Sequence, residues 1–269
     1  MDLLNDSPVR LNVLAKWREL SLIAALSVVP PASHAQSSNS FLTLSYHARE
    51  TLDMRDNDIL RLQYDLEDPG FAALSRVTVF GGFQDVGINL GASSSDSSFD
   101  SLEFGAEALW AREIGDTRHG IGARIAYAET YEVSYELAAM FESFGNVMDY
   151  RLLGGLQGVT DDVPRRDDIS PYGVAEATWW AGRTFLFRAG VQGDSDGALV
   201  TTGFEVAIGR TAASFFMDFG IAIDGYRGIS EYNDLIGGFR FALGGNRGSL
   251  QDRLRRSTLR SLHRTIEVQ

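Results

Sequence analysis

Leu235, Gly237, Phe239, Phe241 and Leu243 alternate with Ile236, Gly238, Arg240 and Ala242. An arginine set between two phenylalanines makes little sense on an irregular loop. On a strand it gives one greasy face and one wet face, because successive side chains point to opposite sides. The same two-residue period recurs along the chain. Leu42, Leu44, Tyr46 and Ala48 oppose Thr43, Ser45, His47 and Arg49, while Leu60, Leu62, Tyr64 and Leu66 oppose Arg61, Gln63 and Asp65. Such regular alternation over successive segments predicts strands.

Turn signals punctuate the pattern: Asp68-Pro-Gly, Gly115-Asp-Thr, Ala181-Gly182, the GDSDG run at 193–197 and Gly209-Arg-Thr. Val77 and Val79 oppose Arg76 and Thr78, with a bend expected at Gly81-Gly82. Val86, Ile88, Leu90 and Ala92 form a further alternating segment. Residues 129–131 read either as a tight hairpin or as the middle of one long strand. About thirteen segments of roughly ten residues result. Counted back from Leu243, the loops at 93–101, 160–170 and 225–234 fall on one side. The short turns at 181–183 and 209–211 fall on the other. Barrels that cross an outer membrane have an even strand number, short periplasmic turns and longer outer loops. The expectation is an all-β fold: a closed antiparallel transmembrane β-barrel of about twelve strands, within a range of about ten to fourteen. One segment is then surplus or merged with a neighbour.

Alternation alone does not say which face looks inward. Charge recurs on one face in strand after strand: Arg61, Glu103, Glu107, Arg124, Glu136, Arg151, Arg188, Glu205, Asp218 and Arg240. The signs are mixed, so these groups can pair across a narrow interior, where an unpaired charge is costly. They are the candidate lumen-lining residues. Tyr46, Tyr64, Trp110, Tyr150, Tyr172, Trp179 and Trp180 fall toward segment ends, where interfacial aromatic girdles belong. A secreted β-sandwich or lipocalin-like barrel with its charges outside predicts the same alternation and stays open as an alternative.

Over roughly 41–243 the chain resembles the Gram-negative outer-membrane β-barrel proteins as a general class. The resemblance is one of pattern, with one partial motif. Such barrels often end on a strand of form polar-x-Gly-x-x-hydrophobic-x-hydrophobic, which the assembly machinery reads. Gly238, Phe241 and Leu243 match it, whereas Ile236 stands at the polar position and the chain runs on past Leu243. The resemblance implies a place in the outer membrane, contact with its lipids and recognition by the barrel-assembly machinery through Gly238, Phe241 and Leu243.

The ends differ from the middle. Arg10, Lys16 and Arg18 precede the apolar run LSLIAALSVVPPA, and Ser33 and Ala35 fit a signal-peptidase cut after Ala35. Residues 1–35 are therefore expected to be a signal peptide, 36–40 a polar linker, 41–245 the barrel and 246–269 a basic periplasmic tail. The tail carries six arginines against Asp252 and Glu267, and the first 35 residues balance to zero. With a net charge of -12 for the chain and +4 for the tail, residues 36–245 stand at -16. A nucleic-acid partner is not expected for such a core, because phosphates want the opposite sign. Leu250, Leu254, Leu262 and Ile266 can share a helical stripe. The tail reads either as a helix touching anionic headgroups or a periplasmic partner, or as a solvated, disordered end.

Catalytic signals are thin. Ser45 and His47 share the polar face, and a nucleophile with its base must lie within hydrogen-bond reach, but no orienting carboxylate can be assigned. His119 falls in the turn run DTRHG and reads as solvated. The acids of TDDVPRRDD could bind a cation, though its arginines count against that. There are no cysteines, no cluster with zinc spacing and no phosphate loop, so no catalytic set, metal or cofactor is expected. The function expected is a small channel passing small solutes or exported saccharide through a charged lumen. The alternatives are a non-conducting envelope anchor or assembly barrel, and a lipid-modifying enzyme built on Ser45 and His47.

Overall fold

A computed structural model describes residues 40–51, 57–69, 74–84, 101–128, 132–160, 169–194, 197–209, 211–223, 232–243 and 248–256. The expected signal peptide, the linker up to residue 39, the alternating segment at 86–92, most of the loops at 93–101, 160–170 and 225–234, and the tail beyond 256 lie outside the described residues.

Twelve strands form one closed antiparallel barrel. They are β1 (Ser40–Thr51), β2 (Asn57–Glu67), β3 (Arg76–Gln84), β4 (Ser101–Ile114), β5 (Thr117–Ala128) and β6 (Glu132–Phe144). The ring continues with β7 (Met148–Thr160), β8 (Ser170–Trp180), β9 (Phe185–Gly193), β10 (Ala198–Ala207), β11 (Ala213–Ile223) and β12 (Tyr232–Leu243). Each strand pairs with its sequence neighbours, and β1 pairs with β12 from Ser40↔Leu243 to Thr51↔Tyr232. Closure leaves no free strand edge, which is what lets a sheet cross a hydrocarbon layer. A short helix, α1 (Leu250–Arg256), follows β12.

The turns sort as the sequence predicts. Those at 115–116, 145–147, 181–184 and 208–212 are short and lie at one mouth, together with Ser40 and Leu243. Gly115, Gly182 and Gly209 there have φ of 60°, 78° and 58°, the left-handed backbone that glycine adopts without a Cβ penalty. β5 and β6 pair antiparallel up to Ala128↔Glu132, so these segments are two strands rather than one long one; 129–131 lie outside the described residues. The expected bend at Gly81-Gly82 is corrected: β3 runs straight through both residues, bonded to β2 and β4. A Cβ on Gly82 would meet the Leu60 carbonyl at 2.9 Å, so that glycine serves close strand packing instead of a bend.

The two faces differ sharply. Ile121, Ile125, Leu137, Leu152 and Ile221 all point outward with more than half their surface exposed. Monomers that live in water rarely expose an apolar belt of this extent. Trp110, Tyr150 and Trp179 join that outer face. Tyr172 and Trp180 do not, which corrects the girdle expectation: they share an inward face with Glu176 and Thr178 and are buried. Adjacent tryptophans on a strand must point to opposite sides. Tyr64 is also buried, its hydroxyl donating to Ser40 Oγ at 3.2 Å. His119 lies within β5, exposed, with its ring edge-on to Phe141 at 5.1 Å, not in the turn.

Candidate functional site: the charged interior and the helix in its mouth

The inner wall is built from one parity of each strand. Among the described residues eleven strand carboxylates are buried: Asp65, Glu67, Glu103, Glu107, Glu136, Glu142, Asp149, Glu176, Glu205, Asp218 and Asp234. Seven strand arginines face them: Arg76, Arg118, Arg124, Arg151 and Arg188 are buried, and Arg61 and Arg240 partly so. All ten residues of the sequence-derived ladder lie on this inner face. The described wall holds four more carboxylates than guanidinium groups.

The charges form two shelves. In the half nearer the long loops, Arg61 Nη2 donates to both oxygens of Glu103 at 2.9 and 2.6 Å. Arg124 lies 3.8 Å from Glu103 and 4.0 Å from Glu136, which also accepts the Tyr172 hydroxyl. The Phe80 ring lies under both guanidinium groups, its centroid 5.2 Å from Arg61 and 4.8 Å from Arg124. Gly105 leaves room for that ring, since a Cβ there would overlap it. Guanidinium over an aromatic face is favourable and holds the charge in place.

The second shelf lies toward the short-turn mouth. Arg188 donates from Nε and Nη2 to Asp218 at 2.7 and 2.6 Å, a bidentate pair. Its Nη1 lies 3.6 Å from Glu205. Glu205 also accepts from Arg240 at 2.6 Å and from Ser214 Oγ at 2.6 Å. Across the lumen Arg118 Nη1 donates to Glu142 at 3.0 Å, Arg151 lies 3.8 Å from Glu142, and Arg76 pairs with Glu107. Leu109, Ala138, Met140, Leu153 and Tyr172 pack as an apolar cluster on the inner wall, narrowing one side of the interior.

Into this mouth the chain returns. Ser249 and Asp252 cap α1 reciprocally: the Asp252 N–H donates to Ser249 Oγ at 3.2 Å and the Ser249 N–H to Asp252 Oδ2 at 3.2 Å. The Gln251 N–H donates to the Arg183 carbonyl at 3.3 Å, fixing the start of the helix on the β8–β9 turn. Leu250 is buried against Trp180 and Leu186, with Leu254 packed on the same cluster. Arg253 is buried toward the Glu205–Arg240 side, and burial holds its guanidinium below the usual pKa, Glu205 opposing and Arg240 reinforcing. On the opposite wall Arg255 pairs with Asp149 at 2.8 Å, and Arg118 Nη2 donates to the Arg255 carbonyl at 2.6 Å. The tail is therefore neither a solvated end nor a helix lying on headgroups over residues 250–256; it sits within the barrel mouth. The amphipathic stripe was legible, but its partner is the inner wall.

A helix with its side chains is about 10–12 Å across. Twelve tilted strands at about 4.8 Å spacing give a backbone diameter of roughly 25 Å, less the side chains on both walls. A helix seated there obstructs most of the short-turn mouth.

Ser45 and His47 both face the interior, and His47 Nε2 lies 3.0 Å from Asp234 Oδ1. A buried pair on the inner wall is remote from acyl chains, which would lie against the outer face. The loop TDDVPRRDD falls at 160–168, almost wholly outside the described residues.

No protein-family model matches the sequence, and no curated protein matches it. Among solved structures the fold is similar to the KdgM porin, with a TM-score of 0.54 at 8% identity, covering 74% of this chain and 98% of that one. It is similar to the NanC porin at a TM-score of 0.53, with 8% identity and the same 74% and 98% coverage. KdgM in complex with disordered oligogalacturonate superposes with a TM-score of 0.53 at 8% identity. The chain has the twelve-strand fold of the outer-membrane β-barrels.

Proposed function

We propose that the protein is an outer-membrane channel for small solutes, closed at rest by α1 in its short-turn mouth. The observation that carries this is the charged inner wall, held in two shelves inside a barrel of porin fold. The apolar outer belt supports a lipid surround, and Gly238, Phe241 and Leu243 at the end of β12 suit recognition by the barrel-assembly machinery. The excess of carboxylates favours neutral and cationic solutes. It disfavours polyanions such as the oligogalacturonate bound by KdgM, because a wall of net negative charge repels a permeant anion. Neutral saccharides fit the same wall.

A second reading is a non-conducting barrel, and the seated helix is what favours it. Planar-bilayer recording separates the two. The full chain is expected to show rare or small openings. A chain ending at Gly245 is expected to give stable steps with a reversal potential that marks cations as the favoured species. Silence from the shortened barrel, shown to be folded by heat-modifiable migration, would remove the channel reading and leave the anchor.

A further inference from the structure

Arg255 is bound more elaborately than a surface salt bridge requires. Its Nε donates to Asp149 Oδ2 at 3.1 Å and its Nη2 to Asp149 Oδ1 at 2.8 Å. The same Nη2 donates to the Gly145 carbonyl, and the guanidinium carbon lies 5.7 Å from the centre of the Trp180 ring. A bidentate carboxylate, a carbonyl and an aromatic face together match the planar, five-donor guanidinium and not a compact ammonium.

The receptor is also built without its occupant. The Trp180 indole N–H donates to Asp149 Oδ2 at 2.7 Å, and the Gly145 N–H to Asp149 Oδ1 at 3.1 Å. With α1 seated, Asp149 and Trp180 are each more than nine-tenths buried. The carboxylate is thus aimed by the β6–β7 turn and β8, none of which belongs to the tail. The Arg255 side chain keeps 27% of its surface exposed, so solvent and small solutes reach the occupied site from the mouth.

We propose that Asp149, Trp180 and the Gly145 carbonyl form a guanidinium-binding site, occupied at rest by Arg255, for which small soluble guanidino compounds compete and so unseat α1. The wall's excess of carboxylates draws such cations toward it. The site goes beyond the channel reading: its occupancy moves the helix whether or not the barrel conducts.

The chain has no cysteines, so Leu250→Cys places a single thiol on the buried face of α1. The full-length variant in lipid vesicles is labelled with a charged maleimide, at constant ionic strength, and the rate is followed without any current measurement. Agmatine is expected to speed labelling about tenfold, whereas cadaverine, with two ammonium groups and no guanidinium, leaves it unchanged. Adding Arg255→Ala is expected to make labelling fast from the start, and methylguanidinium, refilling the vacated site, to have no further accelerating effect. Equal effects of agmatine and cadaverine would reduce the site to salt screening and overturn the proposal. So would an agmatine-insensitive rate, or a rate in the Arg255→Ala background that agmatine still raises tenfold.

Discussion

Glu205 joins β9, β11 and β12 through Arg188, Ser214 and Arg240. Removing one partner of a buried ion pair leaves the other charge uncompensated, at a cost of about 3–5 kcal/mol. Glu205→Ala is therefore expected to lower stability by about that much, read from the urea dependence of folding into lipid vesicles. Glu205→Gln, which keeps an acceptor for Arg240 and Ser214, is expected to lose less. Equal losses in the two variants would mean that packing, not charge, governs the position. At this scale the sequence was legible by parity: once one residue of a strand is assigned inward, every second residue follows. Arg76, Arg118, Glu142, Asp149 and Glu176 belong to the inner wall by the same rule, though the sequence-derived ladder omitted them. Tyr172 and Trp180 misled because an aromatic near a strand end suits an interfacial girdle and an inner mouth equally well. Only the parity of Glu176 separates the two.

The closing strand shows how far an element can be read in isolation. Phe239 and Phe241 look outward, and Arg240 looks inward to Glu205. Its two glycines are not equivalent. A Cβ on Gly238 would collide with the Leu44 carbonyl and approach Ser45 Cα at 2.8 Å, whereas on Gly237 the nearest atom is the Phe216 carbonyl at 3.9 Å. Gly238→Ala is expected to cost about 1–3 kcal/mol and to reduce the heat-modifiable fraction, with Gly237→Ala close to neutral. Equal behaviour of the two would contradict this register of β12 on β1. For α1 the sequence showed the stripe of Leu250 and Leu254 but not the Ser249/Asp252 cap. Amphipathicity says which side of a helix is apolar, not what that side meets. The meeting place depends on Trp180 and Leu186, 64 to 74 residues earlier in the chain.

For the whole molecule, the period of two and the turn residues are local signals that mark about thirteen segments, and the even strand number of a closed outer-membrane barrel brings that to about twelve. Closure and the docking of the tail are not local, and no window of the sequence holds them. The orientation of the two faces toward lipid and lumen is open to direct test. Leu137 lies near the middle of β6 and Ile114 at the end of β4, both outward and more than half exposed. Leu137→Arg is expected to cost about 2–4 kcal/mol of folding free energy in vesicles, and Ile114→Arg only about 0–1. A flat response at both positions would point to water outside the barrel.

The seated helix has a mechanical consequence as well. α1 follows β12 after a short connection and is anchored at the turns joining β6 to β7 and β8 to β9, on the far side of the ring. The seam between β1 and β12 joins the two ends of the sheet, and its strands are the last pair the chain can complete. A strut from the seam to the opposite staves resists flattening of the cross-section, and it can be installed only after all twelve strands are in register. The tail thereby works as a keystone: its seat exists in full only in a finished ring, and once filled it ties the closing seam to the opposite wall.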